Sequence, residues 1–210
     1  SRGCLNNCSF CNANKFFRLG GGKALRKRSP ENVVDELTLI YNNYISKGLQ
    51  AKVYFYDANF VTIDKTGKQW VREIAEGLVK RSVYIPFEIF ARADSFSNDD
   101  DGLINIMKKA GLESIFIGFE SGSEDVLDAY NKGVSAAQNR RAAEILKKHA
   151  VLGVTNGFIM FGPYVTFKGL KEGAEFLLLM GQASFWNMSQ RLQLFPGIAL
   201  IEKLKQEKLL

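Results

Sequence analysis

Residues 99–120, DDDGLINIMKKAGLESIFIGFE, hold the unit on which the fold reading turns. The pattern predicts a helix over residues 99–110, stopped by Gly111, and then a strand over residues 114–119. The same alternation recurs in both directions. Upstream, Ser29 is placed to cap a helix with Pro30 at its first position, and Val33, Val34, Leu37, Ile40, Tyr41 and Tyr44 keep helical spacing until Gly48. A strand is expected at residues 52–57, a helix at 68–80 and a strand at 84–91. Downstream, the expectation is a helix at residues 136–152, a strand at 155–161, a helix at 168–180, a strand at 187–194 and a last helix after Pro196. Strands separated by helices of this length call for a parallel sheet with helices packed outside it.

One face of that sheet carries polar groups toward its C-terminal end. Glu88, Arg92 and Asp94 share a parity, as do Phe116, Gly118 and Glu120, and again Asn156, Phe158 and Met160. In barrels and open α/β sheets alike, ligands bind at that end. The chain has 210 residues, 46% hydrophobic and 24% charged, which suits one folded domain and excludes disordered and fibrous classes. The longest apolar runs, such as residues 176–180, fall far short of the roughly 18 residues of a membrane span. The polar start does not read as a signal peptide.

The net charge of +6 is uneven. Arg2, Lys15, Arg18, Lys23, Arg26, Lys27 and Arg28 precede the first acidic residue, Glu31, which leaves 21 basic against 22 acidic residues in the rest. Such a segment could offset metal-bound thiolates, attract a phosphate-rich partner, or form a solvated loop. It lacks the aromatic and basic surface that base stacking needs, so a nucleic-acid partner is not expected.

All three cysteines, Cys4, Cys8 and Cys11, lie within eight residues of one another. A disulfide framework would use an even number spread along the chain. A structural zinc site wants four closed ligands, yet the one histidine, His149, lies far along a helix face with Ala142, Ile145 and Leu146. Three thiolates suit a four-iron cluster with one iron left open for a ligand.

Residues 1–11, SRGCLNNCSFC, resemble the cluster loop of radical S-adenosylmethionine enzymes, and Phe10 occupies the family's aromatic place before the third cysteine. Four further segments fall where that resemblance requires them. Residues 54–60, YFYDANF, are similar to the segment that receives the amino group of the cosubstrate, which implies roles for Asp57 and Asn59. Residues 119–123, FESGS, are similar to the strand end that accepts the ribose hydroxyls, which implies Glu120 and Ser121. Residues 157–163, GFIMFGP, with Gly162, resemble the turn that passes the adenine, and residues 194–197, LFPG, with Phe195, the sixth strand end beside it. Arg92 is also assigned to the cosubstrate, with a structural Arg92 and Asp94 ion pair as the alternative. Tyr130 and Lys132 fall in a segment often near the active site, although a solvated turn ending in Gly133 explains them equally well. Gln190 and Arg191 have no settled assignment.

The resemblance implies a fold, a cofactor set and a chemistry. The fold is an α/β partial (β/α)6 barrel like a TIM barrel, with residues 1–210 as its core domain and strand one expected before Ser1. The cofactors are a 4Fe-4S cluster on Cys4, Cys8 and Cys11 and S-adenosylmethionine, whose reductive cleavage gives a 5′-deoxyadenosyl radical that abstracts a substrate hydrogen. Residues 26–36, RKRSPENVVDE, bring the chain nearest to the branch that often carries an upstream cobalamin-binding domain, which implies methylation or rearrangement with cobalamin. The partners implied are a substrate and a reductant protein such as flavodoxin or ferredoxin, and the setting is a reducing cytoplasm. Two rivals stand beside this reading: a non-catalytic iron-sulfur module for electron transfer or structure, and methylthio transfer to nucleic acid or protein. The turn Pro163-Tyr164-Val165-Thr166 and the pair Asp57-Ala58 both depart from the family pattern.

Overall fold

The computed structural model describes residues 1–19, 21, 23–153 and 156–210. Its first elements form a small unit around the cysteine loop: β1 (Arg2–Gly3), α1 (Ala13–Arg18) and β2 (Leu25–Arg26), with β1 and β2 paired antiparallel. The sheet proper follows, interleaved with α2 (Pro30–Asn43), β3 (Val53–Phe55), α3 (Lys65–Lys80), β4 (Phe87–Arg92), α4 (Asp101–Ala110) and β5 (Leu112–Glu120). After β5 come α5 (Glu124–Ala129), α6 (Ala136–Lys148), β6 (Gly157–Phe158), α7 (Phe167–Leu179), α8 (Phe185–Ser189) and α9 (Ala199–Gln206). The order β3-β4-β5-β6 is parallel throughout, and the sheet with its helices is part of a TIM-like barrel.

The helices start where their caps are. Ser29 accepts from the Asn32 N–H ahead of α2, and Asp64 accepts from the Gly67 N–H ahead of α3, satisfying donors that have no partner inside a helix. Gly111 ends α4 at φ +116°, a conformation suited to glycine, and a Cβ there would stand 2.1 Å from the Ile85 carbonyl oxygen. It therefore fixes the turn into β5.

The two faces of the sheet differ as a barrel wall should. Ile89 on β4 and Ile115, Ile117 and Phe119 on β5 are fully buried against the helices, while Glu88, Phe90, Phe116, Gly118 and Glu120 alternate with them and stay half-buried on the inner face. Each large apolar side chain hidden in this way contributes about 1.5–3 kcal/mol.

Several expected boundaries move for local reasons. The strand expected from residue 84 begins at Phe87, after Pro86, which has no N–H to offer the ladder. The helix expected to reach residue 152 stops at Lys148, and Ala150 turns to φ +54°. The strand expected at 155–161 is seen as Gly157–Phe158, with Thr155 outside the described residues. The stretch at 187–194 is not a strand. Ser184 caps Asn187 and draws the first part into α8, and a single parallel bridge, Phe161 to Arg191, remains where a fifth strand was expected.

Candidate functional site

The cysteine loop is clipped to the C-terminal end of α5. Both the N–H and the hydroxyl of Ser9 donate to the Tyr130 carbonyl at 2.9 Å, and Asn131 donates to the Asn7 carbonyl at 2.9 Å. The Leu200 N–H at the start of α9 donates to the Ser9 carbonyl at 2.9 Å. Phe10 sets its ring edge-on to the buried Tyr130, with centroids 5.9 Å apart. Burial pushes the Tyr130 hydroxyl up to about 12, so it is neutral at ordinary pH.

Each sulfur then receives an N–H. Cys4 Sγ accepts from Asn6 Nδ2 at 3.4 Å, Cys11 Sγ from the Ala13 N–H at 3.4 Å, and Cys8 Sγ from Arg92 Nη1 at 3.3 Å. Burial pushes the Cys8 thiol up, opposed by the positive charges of Lys132 and Arg92. The three cysteines are free thiols. Among the described residues no three His, Cys, Asp or Glu side chains converge tightly enough to share one metal ion, as a zinc site would require. Thiolates that each hold a different iron of one cluster need no such convergence, and N–H donors to sulfur with nearby cations are what such thiolates require. The residues present fit a cluster.

Arg92 leaves β4 buried and forked onto Asp94, with its Nη2 at 2.8 Å from Asp94 Oδ2 and also 2.8 Å from the Lys132 carbonyl. Burial would lower its pKa, but Asp94 and Cys8 outweigh burial and raise it. The ion pair weighed as the alternative at this position is therefore present, and it reaches the cysteine loop. Asn59 spends its side-chain oxygen on the Arg92 backbone N–H at 3.3 Å. A small cavity of about 70 Å³ is lined by Cys4, Asn6, Asn59, Arg92 and Asp94. Asp57, in the turn after β3, is buried.

Glu120 closes β5 at φ +64°, a left-handed conformation that strains a residue with a side chain. Its Oε1 accepts from Lys132 Nζ at 2.9 Å. Gly118 and Gly157 make room for the pair, since a Cβ on Gly118 would stand 2.7 Å from Glu120 Oε1 and one on Gly157 3.4 Å from Oε2. An open cavity of about 510 Å³ lies beside it, lined by Phe116, Glu120, Asn156, Trp186, Arg191 and Phe195 among others.

The structure thus brings Cys4, Cys8, Cys11, Phe10, Asn59 and Arg92 around the loop and Glu120 and Phe195 around the larger cavity. Ser121 and Gly162 are less available. The Ser121 hydroxyl oxygen accepts from the Ser123 N–H at 3.1 Å, and a Cβ on Gly162 would stand 2.0 Å from the Tyr130 hydroxyl. Gln190 gives its carbonyl to the N–H groups of Met160 and Phe161, and His149 pairs with Asp101 at 2.6 Å, far from the loop in sequence and contacts.

Tyr130 and Lys132 are both buried, so the solvated turn weighed for them is not what the structure shows, and the pairing that Lys132 makes is the part the sequence did not reveal. Lys132 is 4% exposed, pairs with Glu120, and lies over the Phe10 ring at 5.8 Å, which joins the two halves of the site. Val126, Leu127 and Tyr130 share a helical face, a periodic signal of burial, whereas the burial of Lys132 follows no period. The basic segment is partly spent inside the chain, with Lys27 on Thr62 at 3.2 Å and Arg28 on Glu36.

Comparison with known proteins adds three findings. The family model described as the Radical SAM superfamily matches residues 1–177. Among curated relatives, the 4'-phospho-dehydrooxetanocin synthase of Priestia megaterium is 32% identical over 192 residues, covering 84% of this chain and 25% of that protein. The anaerobic magnesium-protoporphyrin IX monomethyl ester cyclase of Rubrivivax gelatinosus is 30% identical over 152 residues, covering 72% of this chain and 25% of that protein. The chain therefore spans about a quarter of the length of these relatives. Among solved structures, the cobalamin-dependent S-adenosylmethionine radical enzyme OxsB with aqua-cobalamin and S-adenosylmethionine bound superposes with a TM-score of 0.68 at 27% identity, over 99% of this chain and 29% of that one.

Proposed function

The chain belongs to the radical SAM superfamily, and from that premise we propose that residues 1–210 form the core domain of an enzyme that binds a 4Fe-4S cluster and S-adenosylmethionine. The observation that carries this reading is the cysteine loop: three free thiols, each receiving an N–H, with Cys4 lining a small cavity against the charged strand end of Arg92 and Asp94. Held by Cys4, Cys8 and Cys11, the cluster would supply one-electron reductive cleavage of S-adenosylmethionine, the source of a 5′-deoxyadenosyl radical for hydrogen abstraction from the substrate.

The residues of this chain supply placement. Cys4, Cys8 and Cys11 would hold the cluster and leave one iron open. Asp57 offers a buried carboxylate to the amino group of the cosubstrate, with Asn59 keeping the neighbouring turn fixed to Arg92. Glu120, already tied to Lys132 through one oxygen, turns toward the cavity where ribose hydroxyls would be accepted. Phe195, half exposed on the wall of the same cavity, gives a flat apolar surface for a base. Such fixed contacts orient the reacting groups and exclude water.

The OxsB structure is of a cobalamin-dependent enzyme, and this likeness supports a cobalamin-assisted reaction in the whole protein, methylation among them, with cobalamin held outside these residues. A reductant protein such as flavodoxin or ferredoxin would deliver the electron, and free thiols around an oxygen-labile cluster suit a reducing cytoplasm. No helix among the described residues is long and apolar enough to cross a membrane. A carrier or structural module is not favoured, because neither use explains a strained carboxylate beside an open cavity.

The test is anaerobic reconstitution of the protein with iron and sulfide, followed by S-adenosylmethionine and a reductant. Formation of 5′-deoxyadenosine and methionine, lost in Cys11→Ala, is the expected result. A complete four-iron cluster that neither binds nor cleaves the cosubstrate would return the balance to the electron carrier.

A further inference from the structure

Arg92 is buried, 6% exposed, and its guanidinium is committed on every side. Nε and Nη2 fork onto Asp94 at 3.0 and 2.8 Å, Nη2 also meets the Lys132 carbonyl at 2.8 Å, and the backbone N–H is held by Asn59 at 3.3 Å. Three anchors on three different segments fix the orientation of the side chain. The nitrogen left over, Nη1, points at Cys8 Sγ at 3.3 Å. Of the three cysteine sulfurs, this is the one whose N–H donor carries a full positive charge; Cys4 has a side-chain amide and Cys11 a backbone amide. A charge-assisted bond of this kind is roughly twice as strong as a neutral one, and arginine, unlike lysine, can hold an anchor and a target in one rigid plane.

We propose that Arg92 is a positioning residue for the cluster, holding the Cys8 sulfur through a charge-assisted N–H···S bond and thereby raising the cluster's reduction potential. The inference rests on the reading of Cys4, Cys8 and Cys11 as cluster ligands. The physical basis is that reduction adds negative charge to the cluster, which a donor and a cation at sulfur stabilise, so hydrogen bonds to sulfur and local net charge set the potential. Asp94 works against Arg92 in this balance while holding it in place.

The experiment is a redox titration of the anaerobically reconstituted protein, followed by electron paramagnetic resonance without cosubstrate, so that the readout does not depend on turnover. Arg92→Gln should lower the midpoint. A tenfold loss in the ratio of reduced to oxidised cluster at fixed poise corresponds to about 59 mV for one electron. Asp94→Asn should shift the midpoint upward, an opposite sign that general loosening of the loop would not produce. If Arg92→Gln does not retain four irons, Arg92→Lys is titrated instead and should again fall below the unsubstituted protein. Midpoints unchanged in these variants, with weakened binding of S-adenosylmethionine, would overturn the inference and make Arg92 a cosubstrate contact. Failure of the unsubstituted protein to assemble any four-iron cluster would overturn the functional reading itself.

Discussion

The ends of β4 and β5 lie side by side in the sheet and both finish in a charged residue, but they are built in opposite ways. Arg92 leaves β4 in relaxed, extended backbone at φ −93° and spends its whole guanidinium on Asp94, Lys132 and Cys8. Glu120 leaves β5 in left-handed backbone at φ +64°, commits Oε1 to Lys132, and borders the open cavity. A saturated charge in relaxed backbone is a fixture, whereas a half-committed charge in strained backbone is suited to receive a ligand. Strain at such a position costs about 1–3 kcal/mol and persists only where its surroundings enforce it.

Four substitutions would break or sharpen this contrast. The largest effect is expected from Cys8→Ala, which removes the group that Arg92 serves. Iron analysis after reconstitution should show the four-iron cluster lost, and a full cluster spectrum would remove Cys8 from the ligand set. Next comes Lys132→Met, which leaves the half-buried Glu120 without its partner and should lower stability by about 1–3 kcal/mol in denaturant unfolding. A change near zero would mean that the carboxylate was never dependent on the lysine.

Glu120→Gln keeps shape and one acceptor but removes the charge. It should weaken S-adenosylmethionine binding by about 1.5–3 kcal/mol, read by calorimetry, with iron content unchanged. Loss of iron in that variant would make Glu120 a fixture like Arg92 and dissolve the comparison. The smallest effect belongs to Asp64, a carboxylate spent wholly on local turn and cap contacts. Thr66, Thr62 and the Gly67 N–H hold it down to about 2. Asp64→Ala should cost about 1 kcal/mol. Because its folded pKa lies below the unfolded value of about 3.9, the contribution is present above pH 4 and lost as pH falls toward 2. Acid titration of stability in the two proteins should converge over that window.

Much of this was legible in the sequence because it is periodic or local. The Ser29-Pro30 start of α2, the Gly111 stop of α4 and the alternation along β5 each involve residues within a few positions of one another. The cysteine spacing and the strand ends were legible for the same reason. The link between Lys132 and Glu120 was not, since the two are 12 residues apart with a helix between them and their pairing follows no period. The strand expected at 187–194 failed through competition: the apolar pattern allowed a strand, but the Ser184 cap favoured a helical turn at its start. Nor does sequence show that Gly162 serves the Tyr130 hydroxyl and that Ser121 is spent within its own turn.

The clip between Ser9 and Tyr130 bears on the freedom of the three thiols. Both donors of Ser9 end on one carbonyl, and α9 secures the same residue from the other side. The cysteine loop is thus tied to the barrel by contacts of its own, and these restrain the segment that carries all three thiols. Part of the conformational entropy of ordering that segment is therefore met by contacts made in folding.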